Sequence, residues 1–353
     1  MLKSIKGNRR GALAGKVLYF SVLLLFVLAT AGGIAYYVFN PPPSVPDNEV
    51  DIISNLVIND AYFCYYDKNN SNEIKITSSD GVFRETIKLT NESSIVKNAK
   101  IYGTRNHLFI FRENKNDIHH ISIENDSVKR HDVIEVPMIG MGTKGMFSGR
   151  YYVRYNTEGN LIQLTNLENG ESAIYDTIKS PEFVAADEGG IYYTNGNEVR
   201  RIDAATREEY SNTIEGNVKG IVVNGDSVYV LTDNLEYGVV YSLNSENLYV
   251  RVGLQIEESG IDDIEYAAGR LFVTNINGTE SVVTSVDTND LSVREVLSIS
   301  DIGFSNVESS NGYVFGISGG DIYGFDLKAK NKQFKPVVSL GSSVDEFVLL
   351  TTK

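Results

Sequence analysis

Five acidic residues near the starts of predicted strands have the clearest chemistry in this sequence. Glu182, Asp262 and Glu346 share one position relative to a repeated aromatic strand, and Asp263 and Asp345 stand beside two of them. Carboxylates that converge around one opening create a negative potential, which favours a cation or a basic peptide. We therefore predict a ligand site formed by these five side chains. The alternative is that an acidic protein carries acids at many solvated strand ends.

The four histidines are His107, His119, His120 and His131. His119 and His120 are adjacent in a predicted strand, where successive side chains point to opposite faces. They are therefore not expected to bind the same metal ion. The sequence predicts surface or inter-blade roles for the histidines and no metal site.

Other motifs that carry chemistry are missing from the sequence. It contains no H-E-x-x-H, G-x-S-x-G or phosphate-binding glycine loop. The single cysteine, Cys64, lies in the apolar run AYFCYY, which predicts buried packing rather than a nucleophile. Residues 67–73, DKNNSNE, lack the glycine and the distal glutamate of a calcium loop, so a polar turn is predicted. We predict no cofactor and no catalytic residues.

Short apolar runs rich in Val, Ile, Tyr and Phe fill the chain beyond residue 50, and Asn, Asp, Gly or Ser bounds each run, which is typical of strands and turns. Seven runs share an aromatic marker that recurs at intervals of 46, 43, 40, 37, 43 and 43 residues. A period of 40–45 residues with about four strands per unit is typical of propeller blades. The seven markers are Phe63, Phe109, Tyr152, Tyr192, Tyr229, Phe272 and Phe315.

Counting back eight residues from a marker gives the predicted position of the innermost strand of that unit. The same count places one more strand around Val348, just before the chain stops at Lys353. We predict that this strand completes the first blade and closes the ring, because closure removes exposed sheet edges. Residues 49–58 are a competing strand for that blade. The predicted inner-strand residues are Ile101, Val184, Ile221, Ile264 and Val307.

Three marker strands resemble the repeats of YWTD- and YVTN-type propellers. The matching stretches are 191–195, IYYTN, 228–233, VYVLTD, and 271–275, LFVTN. The resemblance implies a β-propeller of the kind found in receptor ectodomains and in bacterial secreted or membrane-anchored proteins. YWTD propellers usually have six blades, whereas this sequence has seven units. The predicted fold class is therefore all-β: a seven-bladed β-propeller preceded by one N-terminal transmembrane helix.

The first fifty residues predict a membrane anchor. Residues 1–16 form a basic tail with five Lys or Arg and no acid, and residues 17–39 are uncharged and long enough to cross a bilayer. The charge bias predicts a cytoplasmic N-terminus. A cleaved signal peptide is the alternative, because Ala29-Thr30-Ala31 resembles a cleavage site. Residues 40–50 form a proline-rich linker, which leaves residues 51–353 as an extracytoplasmic propeller.

Composition narrows the possible functions. The chain has 46 acids and 32 bases, a net charge of −14, which argues against a nucleic-acid partner. The absence of tryptophan argues against a quinone-dependent dehydrogenase, whose repeats carry tryptophan docking motifs. We predict a non-enzymatic binding or scaffold module at the cell membrane for a protein or an envelope polymer. The alternative is a propeller-type glycan hydrolase or lyase at the cell surface.

Overall fold

Short antiparallel strands make up nearly all of the described chain, which was analysed as a computed structural model. All described residues belong to one compact unit, Val50–Thr352. The structure describes residues 52–53, 57–58, 61–67, 70–80, 83–88, 99–112, 116–137, 143–234, 236–257, 260–267, 269–276, 280–300, 302–310, 312–329, 334–340, 344 and 346–351. The predicted tail, transmembrane helix and linker therefore lie outside the described residues.

The described strands form seven sheets of four or five strands, which we call blades 1 to 7 in chain order, and one separate two-stranded sheet. Blades 2 to 7 each pair four consecutive strands as a meander, because turns of a few residues allow only antiparallel neighbours. This arrangement confirms the predicted seven-bladed propeller. In chain order, blades 2 to 4 comprise Ala99–Thr104, His107–Arg112, Asp117–Glu124 and Ser127–Arg130; Thr143–Ser148, Tyr151–Asn156, Leu161–Asn166 and Ser172–Asp176; and Val184–Ala186, Gly190–Asn195, Glu198–Asp203 and Glu209–Thr213.

Blades 5 to 7 repeat the same order, and the first strands of successive blades contact one another from blade 4 round to blade 2. These first strands are therefore the inner strands that surround the central channel. The strands of blades 5 to 7 are Asn217–Asn224, Ser227–Asp233, Gly238–Asn244 and Val250–Ile256; Asp263–Ala267, Arg270–Ile276, Glu280–Asp287 and Ser292–Ser300; and Asn306–Ser310, Tyr313–Ser318, Asp321–Asp326 and Lys335–Ser339. All five inner-strand residues predicted from the spacing lie in first strands.

The C-terminal strand closes the ring, as predicted. Phe347–Thr351 pairs with Ala61–Asp67 and becomes the inner strand of blade 1, with Val348 opposite Cys64. The remaining strands of this blade are Asn70–Ser78 and Arg84–Lys88. The competing residues pair with each other instead, Ile52–Ile53 with Val57–Ile58. A further short strand, Ile134–Glu135, pairs with the third strand of blade 2.

The core is divided among the interfaces between blades. In the described residues, each of the seven clusters of buried apolar side chains joins two neighbouring blades. Because successive side chains of a strand face opposite ways, one strand serves two interfaces. Phe63 faces blade 7, where it contacts Phe315 at 5.5 Å between ring centroids, and the adjacent Cys64 faces blade 2. Cys64 is fully buried, as its apolar surroundings predicted.

The aromatic markers do not all face the same way around the ring. In blades 2, 4, 5, 6 and 7 the marker packs toward the following blade, whereas Phe63 and Tyr152 pack toward the preceding one. In blades 1 and 3 the residue that faces the following blade is therefore one position away from the marker. A one-residue shift moves every side chain of a strand to the other face.

An Asp or Asn residue ends the third strand in each of blades 3 to 7. Asp203 Oδ1 accepts hydrogen bonds from the backbone N–H groups of Ala205 and Thr206, both at 2.9 Å. Asn244 makes the same turn in blade 5. These local bonds satisfy backbone groups that leave the sheet and fix each turn.

Within the described part of the chain, no helix is long and apolar enough to cross a membrane.

Candidate functional site

The five predicted carboxylates are distributed over three blades. Glu182 and Asp262 do occupy equivalent positions, because each donates its backbone N–H at 2.9 Å to the carbonyl of a threonine twelve residues later. Both side chains are exposed. Glu182 accepts a hydrogen bond from the Gly196 N–H at 3.1 Å, which directs its carboxylate to a hairpin turn of its own blade. Asp345 lies outside the described residues.

Asp263 and Glu346 belong to a group of acids that interact across the inner strands. Two further members, Glu265 and Glu308, lie in the inner strands of blades 6 and 7. The raised pKa of Glu308 has three causes, burial and the charges of Glu346 and Asp263. That of Glu265 reflects burial and the charges of Glu308 and Asp263. We call Asp263, Glu265, Glu308 and Glu346 the channel carboxylates.

Three of the channel carboxylates share one orientation because of strand alternation. Ile264 packs against blade 5 and Val307 against blade 6, so the next residues, Glu265 and Glu308, face the following blade. In the closing strand Val348 packs against blade 2. Glu346, two residues earlier, therefore lies on the same side, where it accepts a hydrogen bond from the Tyr66 hydroxyl at 3.2 Å.

Tyr102 of blade 2 lies close enough to Glu308 of blade 7 to be affected by its charge. Burial and the charge of Glu308 raise the pKa of this tyrosine to about 12. Blade 1 separates the blades that carry these two residues, so their interaction crosses the inner end of the ring. Tyr102 and Glu308 are both opposite a marker aromatic in their own blade. The two residues therefore occupy the same register position in blades 2 and 7, and Tyr102 also stacks on Phe147 of blade 3 at 5.0 Å between ring centroids.

The environment of the channel carboxylates favours their neutral form. Glu265 and Glu308 are half-buried, and their pKa values are raised, for Glu308 to about 8. Part of Asp263 is exposed, and desolvation by the surrounding protein raises its pKa. Removal of water disfavours a charged carboxylate, and nearby carboxylates add repulsion. A cation placed among the carboxylates offsets both the loss of hydration and the mutual repulsion.

Lys219 occupies the start of the inner strand in blade 5, where blades 4 and 6 carry acids. Its Nζ lies 4.0 Å from Asp233 Oδ2 of the same blade, and 40% of its side chain is exposed. Among the described residues, the channel carboxylates lie on blades 6, 7 and 1. The sequence count found Asp263 and Glu346 but missed Glu265 and Glu308. The missed signal is an acid directly opposite a marker aromatic.

A second polar cluster lies on blade 2, away from the predicted carboxylates. His107 begins the second strand, His120 lies in the third, and His131 follows the fourth. One ring nitrogen from each lies within 4.8 Å of the other two. His119 takes no part, because it points to the other face of the strand, where its Nε2 lies 3.9 Å from Asp117 Oδ1. We call His107, His120 and His131 the histidine cluster.

Direct contacts hold the histidine cluster together. His107 Nδ1 lies 2.8 Å from His120 Nε2 in a hydrogen bond, and the rings of His120 and His131 stack at 4.0 Å between centroids. The Ser122 hydroxyl lies 2.9 Å from His131 Nε2. Burial and the charge of His131 lower the pKa of His107, and they lower that of His120 to about 4. These two rings are therefore neutral at pH 7.

Comparison with known proteins places the chain among propellers. No family model matches it, so the expected YWTD/YVTN-type repeat is not confirmed at the level of a family. No curated protein matches its sequence. A functionally unknown protein from Desulfotomaculum acetoxidans is similar in structure, with a TM-score of 0.58 and 12% identity over 83% of this chain and 99% of that chain.

Two further solved structures have a similar fold. Apo AztD from Citrobacter koseri has a TM-score of 0.55 and 7% identity, covering 82% of this chain and 97% of that chain. The β-propeller domain of Myceliophteria thermophila Cps50 (Swd1) has a TM-score of 0.50 and 11% identity, covering 71% of this chain and 89% of that chain. At these identities the likeness shows the propeller fold alone.

Proposed function

We propose that this chain is a single-pass membrane protein whose extracytoplasmic propeller is a non-enzymatic binding or scaffold module for a protein or an envelope polymer. The observation that carries the proposal is the closed ring of seven blades. A closed ring holds loops of every blade in fixed positions on two faces, which suits it to display binding residues. Propellers serve many functions, so the partner is inferred from the channel chemistry rather than from the fold.

The channel carboxylates indicate a basic partner. They come from three consecutive blades. Burial and the charges of other acids raise the pKa values of Glu265 and Glu308. A lysine or arginine side chain, or an amine on a polymer, carries a charge opposite to that of these carboxylates. Bringing such a group to the mouth allows the carboxylates to ionise without mutual repulsion. Of the five residues predicted from the sequence, Asp263 and Glu346 are channel carboxylates, Asp262 adjoins Asp263, and Glu182 bonds to a turn of its own blade.

The anchor follows from the sequence of residues 1–50. The basic tail and the uncharged segment 17–39 support an N-terminus in the cytoplasm and a propeller outside it. Alkaline extraction of membranes from the native host tests this part. We expect the full-length chain to stay in the membrane fraction. Release of a shortened chain would show that the segment is a cleaved signal peptide.

Binding is tested with a defined basic probe. Full-length protein in nanodiscs of neutral lipid is titrated with fluorescent oligolysine, and oligoglutamate serves as the charge control. We expect saturable oligolysine binding that weakens with salt. The double substitution of Glu308 and Glu346 by Gln should weaken binding about tenfold, equivalent to about 1.4 kcal/mol. Glu182→Gln is the matched control, because that carboxylate bonds to a turn of its own blade.

Two results would contradict the binding proposal. Equal oligolysine affinity for the wild type, the double variant and the Glu182→Gln control would contradict a channel-mouth site. Thermal melts of all three proteins establish that each is folded. Absence of oligolysine binding by the folded wild type would reject a basic partner.

A glycan hydrolase or lyase is the second candidate, and one observation favours it. Glu265 and Glu308 interact, and burial raises the pKa of both carboxyls. Pairs of carboxyl groups with shifted pKa values are typical of acid–base catalysis in glycosidases. Incubation with a panel of envelope glycans tests this candidate. Product release by the wild type that is lost in Glu308→Gln would replace the binding proposal with an enzymatic one.

A further inference from the structure

The histidine cluster brings together three nitrogen donors that are far apart in sequence. The second and third strands of blade 2 and the segment after its fourth strand lie side by side. They bring His107, His120 and His131 together. His120 also receives the backbone N–H of His131 at its carbonyl oxygen, at 2.9 Å, which places the last member of the cluster. All three side chains are half-buried, so one side of the cluster remains accessible to water.

The spacing of the nitrogens approaches that of a metal site. Imidazole nitrogens bound to Zn²⁺ at 2.0–2.1 Å in a tetrahedral arrangement lie about 3.3 Å from one another. The cluster has one pair at 2.8 Å and all three within 4.8 Å. The stacked rings of His120 and His131 must turn apart for both lone pairs to meet one ion. His131 lies outside the strands, so rotation of its side chain does not disturb the sheet.

The surroundings of the cluster suit a bound cation. Ser122 Oγ is 2.9 Å from His131 Nε2 and 3.4 Å from Glu124 Oε1, so a hydroxyl links the cluster to a carboxylate. Such second partners orient ligand histidines and increase their basicity. Phe109 stacks on His120 at 4.4 Å between centroids and holds that ring in place.

From this geometry we infer that His107, His120 and His131 form a binding site for a transition-metal ion of the Zn²⁺ and Cu²⁺ class. Three imidazole nitrogens without a thiolate suit these ions, whereas Ca²⁺ and Mg²⁺ require oxygen ligands. The single cysteine, Cys64, is buried between blades 1 and 2 and does not reach the cluster. With three protein ligands, the fourth position is left for water or for a group of a bound partner.

The inference is independent of the proposed channel function. The cluster is on blade 2, and the channel carboxylates are on blades 6, 7 and 1. Substitutions in one set leave the other unchanged, so failure of oligolysine binding does not bear on metal binding. The adjacent pair His119 and His120 gives no sign of this cluster, because the members of the cluster come from different segments of blade 2.

Calorimetric titration of the full-length chain, without a polyhistidine tag, tests the site. We expect one Zn²⁺ or Cu²⁺ ion per chain and no heat from Mg²⁺. His120→Gln should weaken binding about tenfold or more, because it removes a direct ligand. His119→Gln is the matched control, since it changes the neighbouring histidine on the opposite face. Equal affinities of the two variants, or no binding by the folded wild type, would overturn the inference.

A spectroscopic measurement on the unsubstituted protein keeps the test valid where a variant fails to fold. X-ray absorption of the Zn²⁺-loaded chain should show three imidazole nitrogens at about 2.0–2.1 Å. Coordination by fewer than three imidazoles would overturn the proposed ligand set. Thermal melts with and without Zn²⁺ should show a higher melting temperature with the ion, because a ligand bound only by the native state stabilises it.

Discussion

The inner strands of blades 4 to 7 all pair with their second strands in the same register. At one shared position, blades 4 and 5 carry an apolar residue and blades 6 and 7 carry an acid. In each, one residue stands opposite the marker aromatic of the second strand. That residue is Ala185 or Val222 in the first pair of blades and Glu265 or Glu308 in the second. The repeat therefore keeps the same strand pairing in these four blades, while the position opposite the marker carries an apolar residue in blades 4 and 5 and an acid in blades 6 and 7.

The same comparison explains why the acidic side is tolerated. Ala185 is buried between blades 4 and 5, and Val222 is half-buried between blades 5 and 6, each packed in an apolar cluster. Glu265 and Glu308 have one another and Glu346 for neighbours, and they keep partial contact with water. A raised pKa lets them remain neutral, so burial costs less than it does for a fixed charge.

The largest effect on stability is expected from a cavity in the core beside the channel carboxylates. Phe347 is fully buried between blades 1 and 7 and follows Glu346 directly. Phe347→Ala should lower the free energy of unfolding by about 3–5 kcal/mol, because it removes a large core side chain and leaves a cavity. Chemical denaturation measures the change. Ile178→Ala, at a side chain that is 64% exposed, should change stability by less than about 0.5 kcal/mol.

Placing an acid on the apolar side should have the next largest effect. Val222→Glu puts a carboxylate at the position that Glu265 and Glu308 occupy in their blades. We expect a loss of about 1–3 kcal/mol, because the side chain enters an apolar interface without a partner. Val252→Glu, on the exposed outer strand, is the control and should be nearly neutral. Equal stability of both variants would show that the two halves of the channel do not differ in this way.

A smaller, pH-dependent effect should follow neutralisation of Glu308. Its folded-state pKa is raised from 4.5 to about 8, so the protonated carboxyl stabilises the fold. That contribution is complete below 4.5 and is lost as the pH rises through about 8. Glu308→Gln should therefore raise the melting temperature at pH 9 by about 2–4 °C relative to the wild type, a shift that corresponds to roughly 1 kcal/mol.

At pH 4.5 the two proteins should melt within about 1 °C of each other, since Gln and protonated Glu are alike in charge. Glu182→Gln serves as the matched control, because Glu182 is exposed and bonds to a turn. Its difference from the wild type should be the same at both pH values. A Glu308→Gln difference that does not change with pH would contradict the assigned environment.

Much of the fold was predictable from the sequence, because its signals are local. The 40-residue period located the blades, and Val348 in register at the end of the chain predicted closure. The side faced by each marker was not predictable. Phe63 and Tyr152 turn toward the preceding blade, and only the packing between blades determines this choice.

The candidate sites were less predictable, because they depend on distances between strands. Counting from the markers found Asp263 and Glu346 but gave no reason to select Glu308, since apolar residues fill its position in blades 4 and 5. The contact of His107 with His120 is diagonal across two strands. Strand alternation correctly separated His119 from His120 but carried no information about partners from other strands.

The central claim is that carboxylates of blades 6, 7 and 1 share one enclosed, mutually repulsive environment. The most direct measurement is a pH titration of the Glu308 carboxyl carbon by NMR, with the resonance assigned through Glu308→Gln. The structure predicts a pKa of about 8, which falls when Glu346 is changed to Gln, because that change removes a repelling charge. A pKa near the ordinary 4.5, unaffected by the change at Glu346, would contradict the account.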